Sequence, residues 1–280
     1  GSLYGATVDF GAGDEKYTLT VGATGSNIDG GEGNDPFVVN ASDLLSSSSI
    51  VGGDGNDSVS FGAVLSGNSI VGGAGNDTLR FAAGVRDSAL VSSDSGSDVL
   101  LFSSTLSSAN VAGGSGGDSM VFKGAISNST IDFGADNDAV TFSVAATSTT
   151  ILGGTGADTL VFSSGANLVT SSVSGGTDGD SLVFSAVVKS ATSIAGGGGN
   201  DTMVFNSSVG GAFVSLDSGA DSVSFVTHVS GATMHGGNGT QTVVFSSAND
   251  LATFNGTFGT GSIKGGGGND SLVFAAVAGG

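Results

Sequence analysis

The residues in this chain best placed to do chemistry are aspartates, and they recur. Asp35, Asp57, Asp77, Asp98, Asp118, Asp138, Asp158, Asp180, Asp201 and Asp221 follow one another at steps of 20 to 22 residues. Gln241 and Asp270 continue the series, with a last step of 29, and Glu15 fits its start. Each closes a short loop, best written GGDGND (52–57), GGAGND (72–77) or GGGGND (196–201 and 265–270). Glycine permits positive φ and puts no side chain in the way, so such a turn exposes carbonyl oxygens on its inner side. The aspartate adds a carboxylate where the next segment begins. Ligation by carboxylate and carbonyl oxygen alone is hard-cation chemistry, and calcium accepts about six to eight such ligands. Stacked loops would set one carboxylate above another, and a divalent cation between them would turn that repulsion into shared ligation.

Other chemistry fits poorly. No GK[ST] follows any loop and no helical pattern offers an N-terminus to phosphate, so a nucleotide loop is excluded. His228 and His235 are the only histidines, one on the turn side and one beside a loop. A Ser–His–Asp reading is open to any chain this rich in Ser and Asp, and no enzyme is expected. Lys16, Arg80, Arg86, Lys123, Lys189 and Lys264 are scattered over different repeats, so no basic catalytic centre forms.

The elements that must carry these loops are strands. After each loop comes an alternating segment such as SVSF, TLRF, SMVF or TLVF, apolar at its second and fourth positions, which is the period-two pattern of a half-buried strand. Phe61, Phe81, Phe102, Phe122, Phe142, Phe162, Phe184, Phe205, Phe225, Phe245 and Phe274 all stand four residues after the loop-closing position. A Ser/Ala-rich segment then leads to an apolar residue seven positions before the next aspartate: Ile50, Ile70, Val91, Val111, Ile131, Ile151, Val173, Ile194, Val214, Met234 and Ile263. One unit cannot bury its own apolar face, but a stack can. The expected fold is all-β: a right-handed parallel β-solenoid of about 13 coils, forming a single repeat domain over residues 1–280. The stretch LATFNGTFGTG (251–261) reads as an insertion around 248–262 that offers Phe254 and Phe258 either to a partner or, the preferred reading, as a capping excursion packed on the solenoid.

Composition sets the outer bounds. There are 52 glycines, one proline and no cysteine among 280 residues, with 25 acidic against 6 basic side chains and a net charge of −19. Such a chain has no electrostatic hold on nucleic acid or an anionic membrane, should attract cations, and carries neither disulfides nor thiolate metal sites. No apolar run approaches the roughly 18 residues of a membrane helix, so direct insertion into a membrane is not expected. The chain opens Gly1-Ser2 rather than Met and shows no polar capping unit at either end, which reads as a piece of a larger array or of an end-to-end assembly.

Loop and strand together, GGDGNDSVS, GGAGNDTLR, GGGGNDTMV and GGGGNDSLV, fit the nonapeptide G-G-x-G-x-D-x-U-x and resemble the repeats-in-toxin (RTX) family of calcium-binding β-roll proteins. The resemblance implies that carboxylates of Asp35, Asp57, Asp77, Asp118, Asp158, Asp180, Asp201 and Asp270 hold calcium between neighbouring loops. Asp98, Asp138 and Asp221 are further candidates. It also implies ligation by loop carbonyls, among them those of Gly52, Gly72, Gly113, Gly153, Gly175, Gly196 and Gly265. The family's usual array puts such loops on both sides of the roll, whereas here each coil carries one, so a single row of about eight to eleven calcium ions is expected. Four loops depart from the pattern: SDSGSD (93–98), FGADND (133–138), LDSGAD (216–221) and GGNGTQ (236–241). The first three keep or gain an acidic residue (Asp94, Asp136, Asp217), which allows an altered site, and the fourth loses its carboxylate. Thr-bearing calcium solenoids can bind ice through outward Thr ranks, but the third loop position here varies (Asp54, Ala74, Ser115, Thr155, Gly198, Asn238).

The function expected from all this is that of a secreted structural segment of a surface layer, adhesin stalk or cell-surface filament, folded by calcium outside the cell. Its expected partners are other copies of itself or flanking repeats. The alternative is the C-terminal secretion and folding domain of a type I-secreted toxin, lipase or protease.

Overall fold

A computed structural model describes residues 2–40, 44–259 and 261–275. Alternating segments separated by glycine corners wind into a right-handed parallel β-solenoid of about 13 coils, in two compact units, Gly1–Val140 and Thr141–Gly280. Among the described residues no helix is long and apolar enough to cross a membrane.

In the first unit each coil contributes three strands. An inbound strand leads into the loop (Ser49–Asp54, Ser69–Ala74, Leu90–Ser95, Asn110–Ser115), and an outbound strand leaves it (Ser58–Phe61, Thr78–Phe81, Val99–Phe102, Ser119–Phe122). A two-residue strand crosses the opposite corner (Leu45–Ser46, Leu65–Ser66, Val85–Arg86, Leu106–Ser107). Every coil pairs with the next in parallel and in identical register, Phe61 on Phe81 on Phe102 on Phe122 and Ile50 on Ile70 on Val91 on Val111. The pleat turns these residues inward, where they are buried. Consecutive phenyl rings stack at 4.6 to 5.1 Å between centroids and within 7° of parallel, the offset arrangement that a strand spacing of about 4.8 Å allows.

The second unit repeats this plan, with the Phe142–Phe162–Phe184–Phe205–Phe225–Phe245 rings stacked at 4.7 to 5.1 Å. Its corner opposite the loops thins after Leu168–Val169 to single bridges through Val188.

Beyond Gln241 the register departs from the one expected from the loop motif. The stretch from 248 to 262 carries a regular inbound strand, Leu251–Asn255, that pairs with Val229–His235 and puts Phe254 directly on Met234. Ile263 lies in the next outbound strand, Ser262–Lys264, opposite Val243, and not in the inbound row of Ile50 and Ile70. Strand Ser271–Phe274 pairs with Leu251–Asn255, so Phe274 stacks on Phe254 at 4.9 Å and not on Phe245. The physical reason is the coil length. A step of 20 residues persists through Thr253, and the step of 29 from Gln241 to Asp270 spans one coil plus the half-turn that carries the chain to the other corner. Thus Gly265–Asp270 sits on the corner opposite the other loops, where it stacks on Ser246–Asp250.

Candidate calcium-binding loops

Each loop is held by its aspartate in one geometry. Asp35, Asp57, Asp77, Asp98, Asp118, Asp180, Asp201 and Asp221 are 1 to 2 % exposed. One carboxylate oxygen, Oδ1, accepts the backbone N–H of the equivalent residue one coil earlier. Glu15 donates to Asp35, Asp35 to Asp57, Asp57 to Asp77, Asp77 to Asp98 and Asp98 to Asp118, at 2.6 to 2.8 Å. In the second unit Asp158 donates to Asp180, Asp180 to Asp201 and Asp201 to Asp221, at 2.8 to 3.0 Å. Asp138 is buried in the same series and accepts from Asp118 at 2.7 Å. Asp158 is likewise buried.

The second oxygen, Oδ2, is turned inward. In Asp35, Asp57, Asp77, Asp118, Asp180 and Asp201 it is buried and accepts no hydrogen bond. The carboxyls of Asp98 and Asp221 differ in having a side-chain hydrogen-bond partner, Ser93 and Gln241, beside them. A buried carboxylate oxygen with no donor costs free energy unless something positive reaches it. Burial accordingly pushes the carboxyls up: Asp77 and Asp180 to about 7, Asp118 and Asp201 to about 6. Asp57, Asp98 and Asp221 are raised for the same first reason. The amide donated to Oδ1 opposes the shift, and neighbouring carboxylates add to it, for instance Asp57 and Asp98 around Asp77.

This inward oxygen lies over the first glycine of its own loop. A methyl group built on Gly30, Gly52, Gly72, Gly113, Gly153, Gly175 or Gly196 would fall under 3.0 Å from Oδ2 of Asp35, Asp57, Asp77, Asp118, Asp158, Asp180 or Asp201. At Gly30, Gly52, Gly72, Gly113, Gly153 and Gly175 the same methyl would strike the carbonyl oxygen of the residue one coil on: Gly52, Gly72, Ser93, Phe133, Gly175 and Gly196. Each of these glycines therefore lets a carboxylate oxygen of its own loop and a carbonyl oxygen of the next coil approach each other against its Cα. Among the described residues no three His, Cys, Asp or Glu side chains gather on one point, so ligation at these loops has to draw on the backbone. This is the oxygen-only donor set that suits calcium, and the residues present fit the ion.

The other candidates are placed as follows. Asp270 is exposed and stands on the opposite corner, accepting the N–H of Asp250 at 3.0 Å, so it is not in register with Asp221 and Gln241. Gly265 accompanies it there. Asp250, which the loop motif does not flag, is buried, accepts from Val229 N–H at 2.7 Å and Ser246 Oγ at 2.9 Å, and lies 3.8 Å from His228 Nδ1. Its only sequence signal is the Asn249-Asp250 pair set nine residues beyond Gln241. Asp94, Asp136 and Asp217 adopt positive φ where other loops have glycine, and they accept from groups on the outer side: Ser92 Oγ, Gly116 N–H and Ser215 Oγ.

The architecture and the ladder of buried loop aspartates define a parallel β-helix with a repeated acidic corner. Compared with known proteins, the sequence matches no described family and no curated protein. Among solved structures it is similar to the crystal structure of a hyperactive, Ca2+-dependent, β-helical antifreeze protein from an Antarctic bacterium. The TM-score is 0.59 and the identity 21%, over 95% of this chain and 83% of that one, which is a likeness of fold.

Proposed function

We propose that this chain is a calcium-binding structural β-solenoid of the cell exterior, serving as a rigid segment of a surface layer, adhesin stalk or filament and folded by calcium. The observation behind it is the row of buried, donor-less Oδ2 atoms of Asp35, Asp57, Asp77, Asp118, Asp180 and Asp201, each lying over a glycine and most of them beside a backbone carbonyl of the next coil. Carboxylates of Asp35, Asp57, Asp77, Asp118, Asp158, Asp180 and Asp201 would hold the ions together with carbonyls of the neighbouring loops. A bound ion supplies the positive charge that these oxygens lack, and the chain's part is to keep the glycine side of each loop open. The calcium dependence of the structurally similar antifreeze protein supports the same reading. Its antifreeze property is not carried over, because the outward third loop position runs Glu32, Asp54, Ala74, Ser95, Ser115 and forms no regular rank.

The test is thermal unfolding followed by circular dichroism, with calcium and with a chelator. Each ion present at 100 times its dissociation constant adds about 2.7 kcal/mol, so several ions should move the midpoint by tens of degrees. An unchanged midpoint refutes the metal.

One observation favours a second reading, the folding domain of a type I-secreted protein. At the C-terminal end Asp250 and Asp270 form a rung on the opposite corner, as back-to-back nonapeptides would. A hydrolase or toxin module encoded upstream would decide for it, and further repeats or an anchoring module would decide against it.

A further inference from the structure

Three loops break the glycine rule at their first position, where Ser93, Phe133 and Leu216 stand in the place of Gly72, Gly113 or Gly175. All three side chains are wholly buried. The glycines at this position do not need positive φ. A Cβ there falls against the inward carboxylate oxygen at every one of these glycines and against the next coil's carbonyl oxygen at most of them, with Met120 Cε also close at Gly113 and Met203 Cε at Gly196. A side chain in that space therefore pushes apart the two oxygens that would share a cation.

We propose that Ser93, Phe133 and Leu216 are resident occupants of that space, which interrupt the calcium row and hold their own loops without metal. The proposal rests on the calcium reading above and deepens it. At Ser93 the hydroxyl serves both sides: Oγ donates to the Gly113 carbonyl at 2.6 Å and stands within hydrogen-bonding reach of the Asp98 carboxyl. At Leu216 the plug is apolar, and the next coil dispenses with the carboxylate as well. Gln241 is buried there, donates through Nε2 to the Gly219 carbonyl at 3.4 Å, and accepts from Gly259 N–H at 3.2 Å. The amide is also a hydrogen-bond partner of the Asp221 carboxyl, so protein groups alone occupy its donors and acceptor. Phe133 fills the same position in the last loop of the first unit with a ring that bears no donor. The surplus acids of these loops, Asp94, Asp136 and Asp217, are satisfied from the outer side, so they do not restore an inner site.

The experiment counts calcium ions on the full chain by native mass spectrometry after equilibration in calcium. Ser93→Gly and Phe133→Gly should each take up one ion more than the parent chain, and Gly72→Ser should take up one fewer. Unchanged counts in folded Ser93→Gly and Phe133→Gly overturn the proposal. A parent chain that binds no calcium overturns the functional reading instead. Should a variant not fold, hydrogen exchange on the parent chain decides. On adding chelator, amides of loops 52–57 and 175–180 should exchange about tenfold faster or more, while those of loops 93–98 and 216–221 change least. Equal acceleration at all loops overturns the proposal.

Discussion

Two corners of the same coil solve the same problem with different chemistry. At both, the backbone turns sharply and leaves amides that the sheets do not pair. At the loop corner the amide of each aspartate is taken by the carboxylate of the next coil, as from Asp98 to Asp118, and one oxygen of that carboxylate is left over. At the opposite corner the partner is a neutral hydroxyl. Ser26 N–H donates to Ser48 Oγ, Ala109 N–H to Ser129 Oγ and Thr149 N–H to Ser171 Oγ, each at 3.2 Å. Those hydroxyls in turn donate to carbonyls within their own turn, Ser48 to Ser46 and Ser129 to Ser127. A hydroxyl both accepts and donates, so its ladder closes on itself; an ionised carboxylate only accepts, so its ladder stays open for a cation. On the proposed calcium reading, the difference makes one corner conditional on metal and the other not.

The largest effect that should separate the corners is that of pH. Burial raises the loop carboxyls in the fold above 3.8, to about 7 for Asp77 and Asp180 and about 6 for Asp118 and Asp201. Between about pH 4 and 7 the metal-free folded chain then holds more protons than the unfolded one, so its stability is full below about pH 4 and is lost as pH climbs through 6 to 7. Calcium requires the same groups ionised, so its contribution grows over that range. Melting scans should cross: in chelator the chain melts at least about 10 °C higher at pH 5 than at pH 8, and in calcium it melts higher at pH 8. Parallel pH profiles with and without calcium would show that the carboxylates are not the switch.

Next in size is the single rung. Asp118→Asn keeps an oxygen for the Asp98 amide but removes the charge. In calcium it should cost about 2 to 3 kcal/mol, one ion's worth, measured by denaturant titration. In chelator at pH 8 the same change should be neutral or stabilising, since it removes a buried charge with no counterpart. A loss of equal size in both conditions would mean that Asp118 acts only as a hydrogen-bond acceptor.

How far these corners can be read from sequence follows from how much each residue type says about its surroundings. The loop corner is legible because glycine, asparagine and aspartate in fixed order have few other uses, and because Phe61, Phe81 and Phe102 recur at one distance from it. The hydroxyl ladder is not, since Ser48, Ser129 and Ser171 sit in segments where serine is everywhere and only the coil geometry selects the buried ones. The C-terminal register hides for another reason. GGGGND at 265–270 is the same string as at 196–201, but which corner receives it depends on how many strands precede it, and the strand Leu251–Asn255 carries Phe254 where its neighbour has Met234. The side chains of Ser93, Phe133 and Leu216 look in the sequence like decay of a motif, and only the coil geometry reveals that all three are wholly buried.

The smallest effect belongs to the neutral corner and serves as the other half of the comparison. Ser171 Oγ accepts Thr149 N–H at 3.2 Å and sits 3.0 Å from the Val169 carbonyl and 3.2 Å from that of Ala146, to which it can donate. Ser171→Ala leaves that buried amide without its acceptor and should cost about 1 to 3 kcal/mol. Ser171→Thr should restore most of this, because Thr149 already fills the equivalent place one coil earlier and donates to the Thr147 carbonyl at 3.0 Å. The decisive feature is the calcium dependence of the loss. Since no charged group takes part, the cost of Ser171→Ala should be the same in calcium and in chelator, and the same at pH 5 and pH 8, where that of Asp118→Asn changes sign or vanishes. A Ser171→Ala penalty that followed calcium would mean that the two corners open together, and that the hydroxyl ladder leans on the carboxylate ladder across the core.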